Sequence, residues 1–490
     1  MATTTELVTE MVTASEPQLP PSSNEPKVTS SEISATSTFK SPALPLPTAS
    51  DSFRLVKKEV HFSKATCMTV SEKFVFVGGL GICGSIAIWE IVDRDLVHAG
   101  NLMYMLGCPT RLSLNRSATK LIACTMPGYV YVWDVSPQKI AALKWQTDGY
   151  DSLQNDFIPD KQRFQPLACF TPENYRQCIA VAFLQDDTTL IGIGKIPQQG
   201  IVLYSSENAC RIGRLPDLFT SIKDNNATKS SVHIRRNVYE FNCVCVDAQR
   251  YTLSKAGENG INGNWTAVSD SSGHCGVLFI SDEILRDATS QCGNGLLHNN
   301  ENPSEEGILK IRVPSSTTKL CHSGVEITSL VWSPRGAQER VTLLCGCSDG
   351  FVRYALLGVG KNGLLTLTLT FIQRLVRGDC LGEVRQLCVT KFKEGSNYIY
   401  AACNSSKKSE TCIRLEKSIN EDIVIEDSCT DGIYELRGRR IKGAEWSPVS
   451  FQHREPLLDL SLSPEGRFLA SLSLDRTMFM YFWDGVSMTA

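Results

Sequence analysis

The chain is constrained most by repetition. After residue 53 it is written in short runs of β-branched and aromatic residues, punctuated by Gly, Pro, Asn, Asp and Ser, and the runs recur in one order. The clearest copy spans residues 112–134. An alternating strand leads into a polar turn, residues 121–124 form a second strand, Pro127-Gly128 turns the chain, and a third strand ends on Trp133-Asp134. The C-terminal copy runs from Leu458 through the turn Ser463-Pro464-Glu465-Gly466. A strand over 467–472 and a turn at Asp475-Arg476 follow, then a third strand that ends on Trp483-Asp484. A further copy opens at Ile327, passes through strand 341–347 and the turn Ser348-Asp349-Gly350, and continues over 351–356.

Looser copies fill the intervals at 68–91, 178–204, 241–281 and 384–415, the first of them ending on Ile88-Trp89-Glu90. Helical periodicity is hard to find after residue 50, so the expected class is all-β. A small twisted sheet of this kind has two apolar faces, and only neighbours on both sides bury them, so a row of such sheets must close into a ring. The last copy stops just after its third strand. Residues 53–62, ahead of the first copy, are placed to supply its missing outer strand and close the ring.

These residues resemble the WD-repeat family, in which each blade reads as strand, Ser-Pro-x-Gly turn, strand, Asp-containing turn, and a strand ending on Trp-Asp. The resemblance implies a β-propeller of about seven four-stranded blades over 53–485, with insertions at about 215–237 and 282–323 and a short tail at 486–490. It assigns Asp270, Asp349 and Asp475 to the turn before the third strand, where Asp accepts backbone N–H bonds. Trp89, Trp133 and Trp483 end third strands and read as packing between blades. The family's Gly-His pair introduces no copy here, because Gly273-His274 lies inside one, so the buried Ser/His/Asp/Trp set is expected to be largely missing. The tails Trp133-Asp-Val-Ser and Trp483-Asp-Gly-Val also lack the basic residue of the Trp-Asp-x-Arg/Lys motif, which takes support from a substrate-receptor role in a cullin-type ubiquitin ligase.

Residues 1–52 are rich in Ser, Thr, Pro and Glu, and are expected to stay disordered because they carry little apolar surface to bury. No basic segment followed by an apolar run opens the chain, and no stretch approaches the length of a membrane span, so an intracellular site, cytoplasmic or nuclear, is expected. The four Asn-x-Ser/Thr sequons, at Asn115, Asn226, Asn264 and Asn404, then read as chance. The nineteen cysteines are odd in number and scattered through apolar runs, which suits small buried hydrophobes better than disulfides.

The chemistry-bearing motifs are few. Cys243-x-Cys245 and Cys345-x-Cys347 each place two thiols on one strand face, with His274-Cys275 and Cys321-His322 elsewhere, but no Cys-x-x-Cys knuckle accompanies them and no metal is assigned. None of the seven histidines sits in a nucleophile elbow or a metal-type pair, and Gly78-Gly79-Leu80-Gly81 reads as a flexible turn between strands rather than a phosphate loop. No catalytic residue or cofactor is assigned.

With a formal net charge of −3, the chain lacks the basic excess of a phosphate-backbone binder. The densest basic run, 437–442, reads as a solvated strand edge. The reading that follows is a non-catalytic scaffold or adaptor, itself monomeric, that holds other proteins within a larger complex. An accessory subunit positioning RNA or chromatin is the alternative, and a propeller enzyme is less favoured. Partner contacts are expected at Arg235 and Arg236 on the first insertion, and at Arg353 and Arg476 near the turn acids.

Overall fold

A computed structural model gives the architecture. It describes residues 52–484 apart from internal stretches, the longest being 149–164, 216–239, 287–314 and 406–431. Of the tail expected at 1–52, residues 1–51 lie outside the described residues, as does the tail at 486–490, and Ser52 belongs to a strand.

The strands form seven antiparallel sheets, six of four strands and one of five. Their inner strands are Lys64–Val70, Pro109–Leu114, Cys178–Phe183, Phe241–Val246, Ile327–Trp332, Gly382–Lys391 and Leu457–Leu462, which we take as blades 1 to 7 in that order. Each inner strand touches the next, and that of blade 7 touches that of blade 1, so the ring is closed. The closing strand is Ser52–Glu59, which pairs in unbroken register with the third strand of blade 7, from Ser52 opposite Asp484 to Glu59 opposite Thr477.

The core is divided in the same way. Seven apolar clusters lie one at each blade-to-blade interface, and both faces of every sheet are covered. Trp89 sits in the cluster shared by blades 7 and 1, with its ring edge-on to His98 at 5.3 Å. Trp133 is fully buried between blades 1 and 2 and stacks on Tyr131 with centroids 5.5 Å apart. Trp483 pairs through its backbone with Phe53, and its side chain lies outside the described set.

Four local expectations change. A helix, Pro137–Asp148, is inserted between the third and fourth strands of blade 2. It starts on Pro137 after a Ser136 whose N–H is held by Asp134, and Pro suits the first helical position because its missing donor would have no partner there. Its apolar residues are spread around the axis rather than along one face, so periodicity gives no signal. The insertion expected at 282–323 contains the outer strand of blade 4, Ser315–Lys319. The sixth copy is longer than 384–415, because its third strand is Gly432–Gly438. Finally, Gly78 and Gly79 lie inside the strand Phe74–Leu80. A Cβ on Gly78 would stand 2.9 Å from the Pro109 ring of blade 2, so this glycine is a close-packing position rather than a hinge.

Candidate functional site: the bulged rim of the channel

The seven inner strands enclose a central channel of about 430 Å³. Each strand skips one residue in its pairing with the second strand, at Thr66, Thr110, Ile179, Asn242, Thr328, Arg385 and Leu458. A bulge of this kind bends the strand and re-aims the extra side chain. Here several of those side chains reach the neighbouring blade. Thr66 donates to the carbonyl of Pro109 and Thr328 to that of Val384. Asn242 donates to Ile327 at 3.5 Å and Arg385 Nε to Leu458 at 3.3 Å. Beyond the bulged residues, side-chain oxygens of one blade accept from amides of the next: Ser329 from Leu387 at 3.0 Å, Asp459 from Met68 at 2.8 Å and Ser461 from Val70 at 3.1 Å. An inner strand has an open edge on the axis, and these bonds satisfy part of it.

The bulges and the turn acids share one rim. Ile327 pairs with Cys347, two residues before Asp349; Leu457 pairs with Ser473, two before Asp475; and Phe241 pairs with Asp270 itself. Asp270 is fully buried and accepts from the amides of Ser272 and His274 at 3.0 and 2.8 Å, with the Ser272 hydroxyl at 2.9 Å. His274 Nδ1 stands 3.1 Å from its other oxygen. Asp349 receives both terminal nitrogens of Arg353, at 2.9 and 2.5 Å. Asp475 accepts from the Ser473 hydroxyl and from the Thr477 amide at 2.9 Å. Burial pushes Asp475 upward, but these bonds outweigh it and hold the carboxyl below its ordinary pKa.

This geometry relocates the residues expected to meet a partner. Arg353 is only 3% exposed and turned under its own turn, so it is a buried structural cation and not a rim contact. Four residues after Asp349 on the strand, its planar fork meets the carboxylate with two parallel bonds. Arg476 is exposed on the rim, with a left-handed φ of 68°. Arg235 and Arg236 lie outside the described residues, as do positions 439–442 of the basic run. Of the histidine set expected to be largely missing, blade 7 shows only a buried histidine set against a serine, with no partner on its other ring nitrogen among the described residues. His453 Nε2 stands 2.6 Å from Ser471 Oγ and its ring is edge-on to Phe479 at 4.7 Å. Burial lowers its pKa to about 4, so the ring is neutral at physiological pH.

The cysteines at the blade 4/5 interface pack as apolar groups. Cys243, Cys275, Cys321, Cys345 and Cys347 all lie in one core cluster, with Cys321 Sγ 3.6 Å from Cys347 Sγ. The hydrogen bond with Cys275 and then burial raise Cys345 well above its ordinary range, so it is held as a thiol. Among the described residues no three metal-ligand side chains converge.

What sequence reasoning missed is the content of the channel mouth: Arg111 and Asp459, each directly after a bulge, and Arg385, at one. Asp459 is buried, its two oxygens accepting from Met68 N and Leu460 N at 2.8 Å each. Burial pushes its carboxyl up, against those bonds and the nearby Arg111. Arg111 immediately precedes the clearest repeat copy, and no spacing marks it, because the bulge that aims it is a property of pairing register.

Residues 314–354 match the family model for "WD domain, G-beta repeat", a span that runs from the outer strand of blade 4 into the third strand of blade 5. No curated protein matches the chain. Among solved structures, the β-propeller domain of Cps50 (Swd1) from Myceliophteria thermophila is similar, with 11% identity over 87% of this chain and 98% of that one, and a TM-score of 0.50. At that identity the likeness concerns the fold.

Proposed function

We propose that this chain, a WD-repeat β-propeller, acts as a non-catalytic scaffold that docks another protein on the bulged rim of its channel. The observation that carries this reading is an exposed apolar pair at that rim. Leu106 is 59% exposed and Met126 75%. The backbone at each is tied down, since Met126 N donates to Cys108 O at 2.8 Å and Leu106 N to the Tyr131 hydroxyl at 3.0 Å. Large apolar side chains fixed at the edge of a rigid frame, beside a polar channel, are the anatomy of a docking surface. The titratable groups near the rim support the same reading, because His274, His453 and Arg353 are engaged in holding turns and blades.

The reading includes an intracellular partner complex, in cytoplasm or nucleus. It fits thirteen described cysteines that are all free and the absence, among the described residues, of a helix long and apolar enough to cross a membrane. The test is purification of the tagged chain from its native cells with crosslinking and mass spectrometry, beside a Leu106→Asp/Met126→Asp variant. A stoichiometric protein crosslinked to this rim and lost from the variant, at unchanged melting temperature, is the expected result. A partner retained by the variant and crosslinked to the opposite rim would overturn the assignment.

A further inference from the structure

The channel mouth holds a cation that makes no ion pair among the described residues. Arg111 directly follows the bulge at Thr110 in the inner strand of blade 2, lines the channel, and is half-buried. Among the described residues its guanidinium makes no hydrogen bond and no ion pair. An arginine cannot lose its charge to escape this environment, and a partly desolvated guanidinium presents five donors that need acceptors. The carboxylate that lines the same channel does not meet the need. Asp459 is committed to two backbone amides, and no ion pair joins it to Arg111.

A second guanidinium stands at the same mouth. Arg385, at the bulge of blade 6, is 42% exposed, holds Leu458 O through Nε, and touches Glu383 at 3.5 Å. The charges reach across the axis: Arg111 and Arg385 each lower the pKa of Asp459 in blade 7 and of Cys243 in blade 4.

We propose that Arg111 is the seat for the carboxylate of an Asp or Glu side chain, presented by an extended segment of the partner protein whose apolar neighbours rest on Leu106 and Met126. This rests on the rim being the docking surface. Three observations select an acidic peptide over a nucleic acid. The channel, at about 430 Å³, admits a side chain and not a folded element. The lip beside it is apolar, since Leu106 and Met126 flank Cys108-Pro109, two residues before Arg111. The net charge of −3 supplies no broad basic face for a phosphate backbone. A planar guanidinium takes a carboxylate with two parallel bonds, which fixes the register of the inserted chain.

The experiment is selection of a displayed library of random linear peptides on the full chain, followed by fluorescence anisotropy of the enriched peptides. Enriched sequences are expected to share an Asp or Glu within a few residues of a large apolar residue. Changing that acid to its amide, or Arg111→Gln in the protein, is expected to weaken binding at least about tenfold, about 1.4 kcal/mol. The two changes together should do little more than either alone, and Arg111→Lys should recover part of the loss. An unchanged melting curve for Arg111→Gln shows that the fold is intact. Enriched peptides indifferent to Arg111→Gln but lost with Leu106→Asp would overturn the carboxylate seat while leaving the docking rim in place. No enrichment above an unrelated control protein would count against both. Arg111-dependent binding of inorganic phosphate or a single-stranded oligonucleotide, without preference for acidic peptides, would overturn the peptide assignment.

Discussion

In blade 5 the turn acid Asp349 is gripped by Arg353, a residue of the same hairpin, and the four strands come from one contiguous stretch of chain. In blade 7 the equivalent Asp475 is held by Ser473 and Thr477. A histidine from the preceding segment, His453, braces the second strand, and the fourth strand arrives from the far end of the sequence. The geometry required is the same, a tight turn whose amides need an acceptor. Blade 5 meets it with a local ion pair, and blade 7 with neutral donors and long-range closure. Two blades of one ring therefore differ in what should break them, one by removal of a charge and the other by a change of pH or loss of a strand.

The largest expected effect is on blade 7. The closing strand covers the third strand over eight residue pairs, and Val60 beyond it is buried in the blade 7/1 core. A chain beginning at residue 61 leaves that sheet without its outer strand. It is expected to lose most of the roughly 5–15 kcal/mol that keeps a domain folded. Urea unfolding followed by tryptophan fluorescence checks this against a chain beginning at residue 49. Equal midpoints would show that the ring does not depend on its closure.

Blade 5 should instead fail at its ion pair. Arg353→Leu strands a half-buried carboxylate under the turn, and removing one partner of a buried pair costs about 3–5 kcal/mol. Asp349→Asn with Arg353→Leu removes both charges, so the double variant is expected to regain a substantial part of that loss. Denaturation midpoints of the three variants close the cycle. If Arg353→Leu alone were as stable as the parent, the pair would be ornamental and the contrast between blades would collapse.

His453 supplies the pH arm. Its folded pKa, about 4, lies below the unfolded value of 6.5, so the folded protein binds fewer protons in that window. The contribution is present above pH 6.5, declines as pH falls toward 4, and amounts to no more than about 3 kcal/mol. Asp459 runs the other way, since its raised pKa favours the folded state at low pH, and the informative quantity is therefore a difference. His453→Gln should flatten the stability-against-pH curve between 6.5 and 4 relative to the parent. A slope identical in the two proteins would contradict the buried neutral imidazole.

The same contrast explains what the sequence made legible. Turn acids announce themselves, because Asp before Gly or Arg between two apolar runs has few other uses, and the outer strand at 53–62 was readable from the truncated last copy. His453 follows a glutamine rather than a glycine, so its structural part shows only once Ser471 and Phe479 close around it. Arg353 is close in sequence to its turn acid, which suggests a partner contact, whereas the fork of a guanidinium four residues on folds back to its own turn. Arg111 and Arg385 were invisible for a different reason. A one-residue bulge leaves no compositional trace, and it decides which side chains line the channel. Positions set by local chemistry were readable, and positions set by register were not.

The smallest expected effects sit at the residue after each turn acid. Blade 5 has Gly350 at φ 79° and blade 7 has Arg476 at φ 68°, the same left-handed backbone occupied by different residues. A Cβ on Gly350 would stand 2.6 Å from the Gly382 carbonyl, so Gly350→Ala meets both the left-handed penalty and a backbone that cannot yield, for a loss of about 1–3 kcal/mol. Arg476→Gly goes the other way. It relieves about 1–2 kcal/mol of left-handed strain and gives back about 0.5–1 in backbone entropy, a backbone gain of at most about 1.5 kcal/mol from which the loss of the side chain's own interactions is subtracted. Thermal midpoints should therefore fall for Gly350→Ala and rise slightly for Arg476→Gly. A fall for both would mean that the Arg476 side chain contributes contacts worth more than its strain, and blade 7 would then hold its turn from the outside as well as from within.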